Sequence, residues 1–482
     1  MRKILLGTTA VVSAVVGAAV MAPQASAQEA PTVRIGGFFR AYYGYTQQSS
    51  NQSNVGSGLP TNVAGNENVP ASTNTTGLPG GNVARLGKHD ISTDTEVHVF
   101  VNGKLANGIT YGAVIEINFN QQEGRNVIST RSSTGKSTAG LDEAYAFIAH
   151  PRVGQVRFGD EDGVMGGLMN SGWITGFGTG GVHGEWESFV TRQSGGRTTT
   201  APGGLGDNSK IIYMSPQFFG FDFGASYAPN AGVGEDTGCP NNANSGFCDR
   251  AYAFSGARNF GIYAAGPEQA ARRNEYQIAA RWRGNLAGVG LAATAGYIGA
   301  GAARDLTSVG LSQVRVFNNM NIWQVGAQAS YLGFTVGAAY MQGDFNFFWG
   351  NTLRGDRPAE QFTVGAQYSA GPFTVGANYV TGLFEGGSRT TFTENAAGTA
   401  LVAGRSGTNA AGVVTGPNSL AGMRRWGLGV GANYRLAPGL DLIAEYVHYS
   451  VREQGRDLDA NRQGVQSRAF SDVFILGTRL AF

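Results

Sequence analysis

The sequence predicts an all-β fold, a transmembrane antiparallel β-barrel of 16 strands with short turns at one end and long loops at the other. A recurring phrase is the first of three observations behind this. It reads Phe334-Thr-Val-Gly-Ala-Ala-Tyr340, Phe362-Thr-Val-Gly-Ala-Gln-Tyr368 and Phe373-Thr-Val-Gly-Ala-Asn-Tyr379, with looser copies at Trp323 to Tyr331 and Trp426 to Tyr434. Successive side chains of a strand point to opposite faces. Each phrase therefore has one apolar face with an aromatic ring at both tips, about 20–26 Å apart at roughly 3.3 Å per residue. That matches a lipid-facing band between two aromatic girdles, and the Thr, Gly, Gln and Asn between them need water. Second, connections between such segments alternate short and long along the chain. Third, the composition is unusual: glycine is 75 of 482 residues, about 16 % against a usual ~7 %, while charged residues are 14 % against a usual ~25 %.

The elements follow in order. Arg2 and Lys3 precede an apolar run from Ile4 to Met21, and Ala25-Ser-Ala27 supplies a small-x-small cleavage site. This predicts a secretory signal peptide over residues 1–27 and a single mature domain over 28–482. Beyond it no stretch approaches the ~20 apolar residues of a spanning helix. Mean hydropathy is −0.14, a value to which alternating strands are blind.

Period-2 alternation places strands at Val33–Tyr45, Ser92–Leu105, Ile109–Gln121, Leu141–His150, Gly154–Gly159, Lys210–Ser215, Phe221–Ala228 and Asn274–Arg283. It continues through Val289–Ile298, Asn321–Tyr331, Phe334–Gln342, Gln361–Ser369, Phe373–Thr381, Arg425–Leu436, Leu440–Tyr449 and Asp472–Phe482. Seven connections are tight and rich in Gly, Pro and Asn, such as Ala106-Asn-Gly108 and Ala437-Pro-Gly439. The eight others are long, including Thr46–Ile91, Asp160–Ser209, Pro229–Arg273 and Gly382–Arg424. Structureless loops of that length count against a soluble domain. In a barrel of the outer membrane, short turns face the periplasm and long loops face outside. Lipid cannot satisfy an exposed N–H or C=O, so the sheet must close. Inward positions Gly326, Gln328, Gly365, Gln367, Gly376, Asn378, Gly429 and Gly431 are small or polar, which reads as an open, wet interior.

At this point the sequence resembles the Gram-negative porin family, of the general-diffusion type with sixteen strands. The features that carry the likeness are Val33-Arg-Ile-Gly-Gly-Phe-Phe-Arg-Ala-Tyr-Tyr-Gly-Tyr45, Asn107-Gly-Ile-Thr-Tyr-Gly112, Gln155-Val-Arg-Phe-Gly-Asp160, Lys210-Ile-Ile-Tyr-Met-Ser-Pro216, Gly220-Phe-Asp-Phe-Gly-Ala-Ser-Tyr227 and the terminal Phe482. The resemblance implies a homotrimer of barrels in outer-membrane lipid, each with its third loop folded into the lumen. The chain departs from enterobacterial general porins there. It offers the Gly-rich run from Gly163 to Gly181 in place of a Pro-Glu-Phe-Gly pattern.

Rings or facing rows of charge set ion preference in a narrow pore. The candidate lining residues are Arg34, Arg40, Glu96, Glu116, Arg157 and Arg281, with Asp160, Glu161 and Asp162 at the start of the third loop and Glu185 and Glu187 also flanking it. Lys104, Arg283, Arg435 and Arg479 fall near strand ends, where solvation at the rim accounts for them. The loop, Asp160–Thr191, is expected to pack Trp173, Ile174 and Phe177 on part of the wall. Asp160, Glu161 and Asp162 stay wet, facing Arg34, Arg40 and Arg281. Cys239 and Cys248, separated by eight residues in a Pro/Asn/Gly-rich stretch, are expected to form a local disulfide.

No catalytic chemistry is legible. The five histidines, His89, His98, His150, His183 and His448, lack a metal-ligand spacing such as H-E-x-x-H, and no G-x-S-x-G elbow occurs. Gly427-Leu-Gly-Val-Gly431 is the small-residue face of a strand, since no phosphate-cradling helix follows. The formal net charge is +2 and no basic run suggests nucleic acid. The expected function is passive diffusion of small hydrophilic solutes and ions through a water-filled channel, with no enzyme activity, cofactor or metal. The alternative is a substrate-selective outer-membrane channel for a sugar or an anion.

Overall fold

The structure, a computed structural model, describes residues 30–49, 52–54, 83–85, 87–119, 139–190, 208–230, 272–302, 319–344, 358–384, 390–394, 401–405, 423–453, 456–457, 462–463 and 468–482. The expected signal peptide and the Cys239–Cys248 pair lie outside them.

Sixteen antiparallel strands close into one barrel. They are β1 Thr32–Gln48, β2 His89–Lys104, β3 Thr110–Asn118, β4 Gly140–His150, β5 Gly154–Glu161, β6 Asn208–Met214, β7 Phe221–Asn230 and β8 Arg272–Leu286. The circuit continues with β9 Val289–Ala302, β10 Met320–Tyr331, β11 Phe334–Asp344, β12 Ala359–Ala370, β13 Phe373–Phe384, β14 Met423–Ala437, β15 Leu440–Glu453 and β16 Arg468–Ala481. Each strand pairs with its neighbours in sequence, and β16 returns to β1 with Phe38 opposite Ala481 and Tyr45 opposite Phe474. All sixteen segments read from alternation are present, extended by a few residues at most ends.

The tight turns show the torsions their residues suggest. Ala287-Gly288 and Leu332-Gly333 both have positive φ at both positions, 50° and 85° and then 47° and 84°. This is the primed two-residue turn whose twist matches antiparallel strands.

The outer face is apolar as periodicity requires: Val33, Ile35, Phe158, Ile211, Val325, Val336, Val364, Val430 and Leu476 are all exposed. Aromatic rings gather at both ends of this band. Toward the short turns Phe334 meets Tyr368 at 4.3 Å and Phe373 meets Tyr434 at 4.8 Å. Toward the long loops Trp323 meets Tyr340 at 5.3 Å and Tyr379 meets Trp426 at 6.3 Å. Two girdles on an exposed apolar wall are the surface a bilayer solvates.

Candidate functional site

The inward faces carry the polar residues, and a single segment crosses them. Residues 162–190, the described part of the connection from β5 to β6, run along the inner wall from β7 round to β1. Val164 and Met169 press on Gly224, and Met165 presses on Gly296. Ser171 lies over Gly326, Ile174 over Gly337 and Gly365, Phe177 over Gly376 and Gly431, and Gly181 over Gly429. Two 3-10 turns, Gly181–His183 and Glu185–Phe189, then carry Trp186 against Tyr449 at a ring separation of 4.7 Å and Phe189 against Gly44.

The amides between those glycines bind the segment's backbone. Met165 N donates to Gln277 Oε1 at 2.9 Å, Gly172 N to Gln328 Oε1 at 3.2 Å and Gly176 N to Gln367 Oε1 at 3.1 Å. Asn378 Oδ1 accepts from Val182 N, while its Nδ2 donates to Ile174 O and Gly180 O, all at 2.9 Å. Glu445 is the tightest anchor. Its carboxylate accepts from Thr179 N at 2.8 Å, Thr179 Oγ1 at 2.6 Å and Gly181 N at 2.8 Å. Side chains that sequence pattern placed against water therefore form a groove with a ladder of acceptors. All eight of the small or polar inward positions singled out in the sequence touch this segment.

The approach is close enough to exclude any Cβ at several points. Gly172 has φ +91°, and a Cβ there would sit 2.1 Å from Ala338 O. Gly172→Ala is expected to combine a left-handed penalty of roughly 1–2 kcal/mol with a backbone clash. Limited proteolysis in detergent should cut residues 162–190 faster in this variant than in the parent, with the strands intact; equal protection in both contradicts the groove.

The expected site residues fall into distinct environments. Arg34 stacks over Phe100 at 4.2 Å and Arg40 over Phe38 at 3.9 Å, with Arg479 on the same ring at 5.7 Å. Arg40 also pairs with Glu185 of the crossing segment at 2.7 Å and with Asp94 of the wall at 3.4 Å. Arg157 pairs with Glu161 at 2.6 Å and donates to Tyr145 Oη at 3.2 Å. Glu96 and Glu116 converge on His98, at 3.0 Å and 3.6 Å from its Nε2.

Two expectations differ from what is seen. Asp160 and Glu161 are buried rather than wet, at 4 % and 3 % exposure. They still belong to β5 and its pairing with β6, and the crossing segment leaves the wall only beyond them. The buried Lys210 ammonium donates to Glu161 O. Asp162 is partly exposed. Arg281 does not face the loop acids: it binds Asp222 at 3.2 Å and 2.5 Å and reaches Leu168 O at 3.5 Å, so it fastens the segment to β7 and β8. Glu161 meets Arg157 of its own strand, and the acid that meets Arg40 from the segment is Glu185, twenty-odd residues further on in chain order. Its burial pushes the carboxyl up, and Arg40 opposes that rise. His183 is lowered to about 4 by burial, and so is neutral at pH 7. Its Nε2 lies 3.0 Å from Thr363 Oγ1.

The Gly427–Gly431 run is part of the groove, with Gly427 against Val182 and Gly429 against Gly181.

The family model described as Gram-negative porin matches residues 8–454. Among solved structures, a triple mutant of the Rh. blastica porin is similar at 14 % identity, covering 94 % of this chain and 100 % of that one, with a TM-score of 0.43. A loop-deletion mutant of OmpT, an outer membrane protein of Vibrio cholerae, is similar at 10 % identity with the same coverages and a TM-score of 0.46. No curated protein sequence matches the chain at a significant level.

Proposed function

The chain belongs to the Gram-negative porin family, and from that premise we propose that it conducts small hydrophilic solutes and ions passively across the outer membrane. One observation carries the reading. Inside a closed wall whose outer face is apolar, the side chains of Arg40, Asp94, Glu96, His98, Glu116 and Arg157 keep between 15 and 24 % of their surface accessible. Charges at that exposure need water, so the space they face is wet. They cluster on β1 to β5, a sector the crossing segment meets at its β1 edge, through Glu185 on Arg40 and Phe189 on Gly44. Solutes pass along the inner faces of β2 to β5, beside the Arg40–Glu185 ion pair that ties the segment to the wall.

In this reading the exported chain loses residues 1–27, assembles as a homotrimer, and holds Cys239 and Cys248 as a loop disulfide. Protein extracted from outer membranes should have an intact mass starting at Gln28. In planar bilayers it should give large ohmic steps in groups of three. Folded protein without conductance, or current saturating at micromolar concentration of one solute, overturns passive diffusion.

An anion-selective channel is the second reading. In its favour, Arg40, Arg435 and Arg479 line one cavity near the short-turn end, with Asp441 the acid among its lining residues. Reversal potentials in a potassium chloride gradient separate the two readings.

A further inference from the structure

We propose that Glu96, His98 and Glu116 form a site on the channel wall for a divalent transition-metal cation of the Zn2+ type. This rests on the wall sector being wet, as the proposed function requires.

All three side chains point inward from neighbouring strands. Glu96 and His98 are two residues apart on β2, and His98 is the register partner of Glu116 on β3. One donor atom from each lies within 4.8 Å of the others. His98 Nε2 is 3.0 Å from Glu96 Oε2 and 3.6 Å from Glu116 Oε2. Metal–ligand bonds of 2.0–2.2 Å imply ligand–ligand edges of roughly 2.9–3.4 Å in octahedral and tetrahedral shells, so little movement is needed to close on an ion. The three donors take one face of such a shell, and water fills the rest from the lumen.

The surroundings hold this geometry. The His98 ring sits edge-on between Phe38 and Phe100, with centroid separations of 6.2 Å and 6.0 Å. Those two rings restrict the imidazole to an orientation that aims Nε2 at the carboxylates. Asn118 Nδ2 lies 3.5 Å from Glu96 Oε1, leaving Oε2 directed at the histidine. The nearby guanidiniums are engaged elsewhere: Arg34 stacks on Phe100, and Arg40 pairs with Glu185 and Asp94. Two carboxylates with one neutral imidazole give a formal charge of −2, matching a divalent ion.

Imidazole selects against Mg2+ and Ca2+, which take all-oxygen shells, and for Zn2+, Cu2+ or Ni2+. In the metal-free protein Nε2–H donates to Glu96. Coordination through Nε2 leaves the single proton of the neutral ring on Nδ1. A bound dication narrows the open sector and cancels the local negative charge of the wall.

The test is Zn2+ titration calorimetry on full-length protein folded in detergent, in a Cys239→Ser/Cys248→Ser background that removes thiol ligands. The expected result is one Zn2+ per chain, at least tenfold weaker binding in His98→Gln and in Glu116→Gln, and no binding of Mg2+ at the same concentration. Zn2+ should also lower single-channel current in the parent and not in either variant. Heat-modifiable gel mobility confirms that each variant is a folded barrel, and either variant alone suffices. Unchanged Zn2+ binding in a folded variant, or Mg2+ binding as strongly as Zn2+, overturns the site.

Discussion

Deleting Gly166–Gly181 is expected to raise single-channel conductance roughly twofold, since the narrowest cross-section governs flow through a water-filled pore. The deleted residues cover the inner faces of β10 to β14, and nothing in the barrel's own ladder depends on them. Each strand takes its backbone hydrogen bonds from its two neighbours. The groove they leave, Gly326, Gly337, Gly365, Gly376 and Gly431 between Gln328, Gln367 and Asn378, tolerates water as an apolar wall would not. The barrel should therefore survive, with unchanged heat-modifiable mobility. Unchanged conductance in a folded deletion protein would mean that the segment does not constrict the lumen.

Replacing Glu445 by alanine should release the same segment without shortening it. The carboxylate is 2 % exposed and is the acceptor for two backbone N–H groups and one hydroxyl. Hydrogen bonds to a charged group are worth about 1.5–3 kcal/mol each, and buried donors left unmet cost a similar amount. Part of that loss is offset because the variant no longer buries a charge. The net effect is on the order of 3–5 kcal/mol of docking free energy, enough to populate undocked states. Single-channel records of Glu445→Ala should flicker between the parent level and a larger one, and Glu445→Gln should flicker less because an amide oxygen keeps one acceptor. Steady current at the parent level in both variants would show that Glu445 is not an anchor.

Much of this was legible in the chain. Strand number and the two aromatic girdles follow from period-2 alternation and turn chemistry, which are local properties. The same alternation assigns Arg40, Glu96, Glu116 and Arg157 to the inward face, and their role as pore lining belongs to the proposed function. What the chain did not disclose is how the wall and the third connection meet. Gly326, Gln328, Gly365, Gln367, Gly376, Asn378, Gly429 and Gly431 read as lining for water, since a small or polar inward side chain looks the same whether water or backbone fills the space before it. The one available signal was complementarity: a Gly-rich run from Gly163 to Gly181 facing a Gly-rich wall permits backbone-to-backbone approach that larger residues forbid. Glu185 is legible as one of the acids flanking the third loop, but its pairing with Arg40 is set by how the loop folds back, which no local pattern records. The grouping of Glu96, His98 and Glu116 was invisible to ligand-spacing rules, because cross-strand register joins residues eighteen apart.

Cysteine accessibility tests most directly the claim that one sector of the wall faces open water while the crossing segment seals the other. In a Cys239→Ser/Cys248→Ser background, Glu116→Cys on β3 and Thr363→Cys on β12 place thiols on opposite sides. Glu116 is partly exposed, whereas Thr363 is 2 % exposed beneath His183. A charged methanethiosulfonate added to the bilayer chamber should reduce current rapidly at Glu116→Cys and leave Thr363→Cys unaffected. Equal block at both positions, or block at Thr363→Cys alone, would contradict the partition of the lumen.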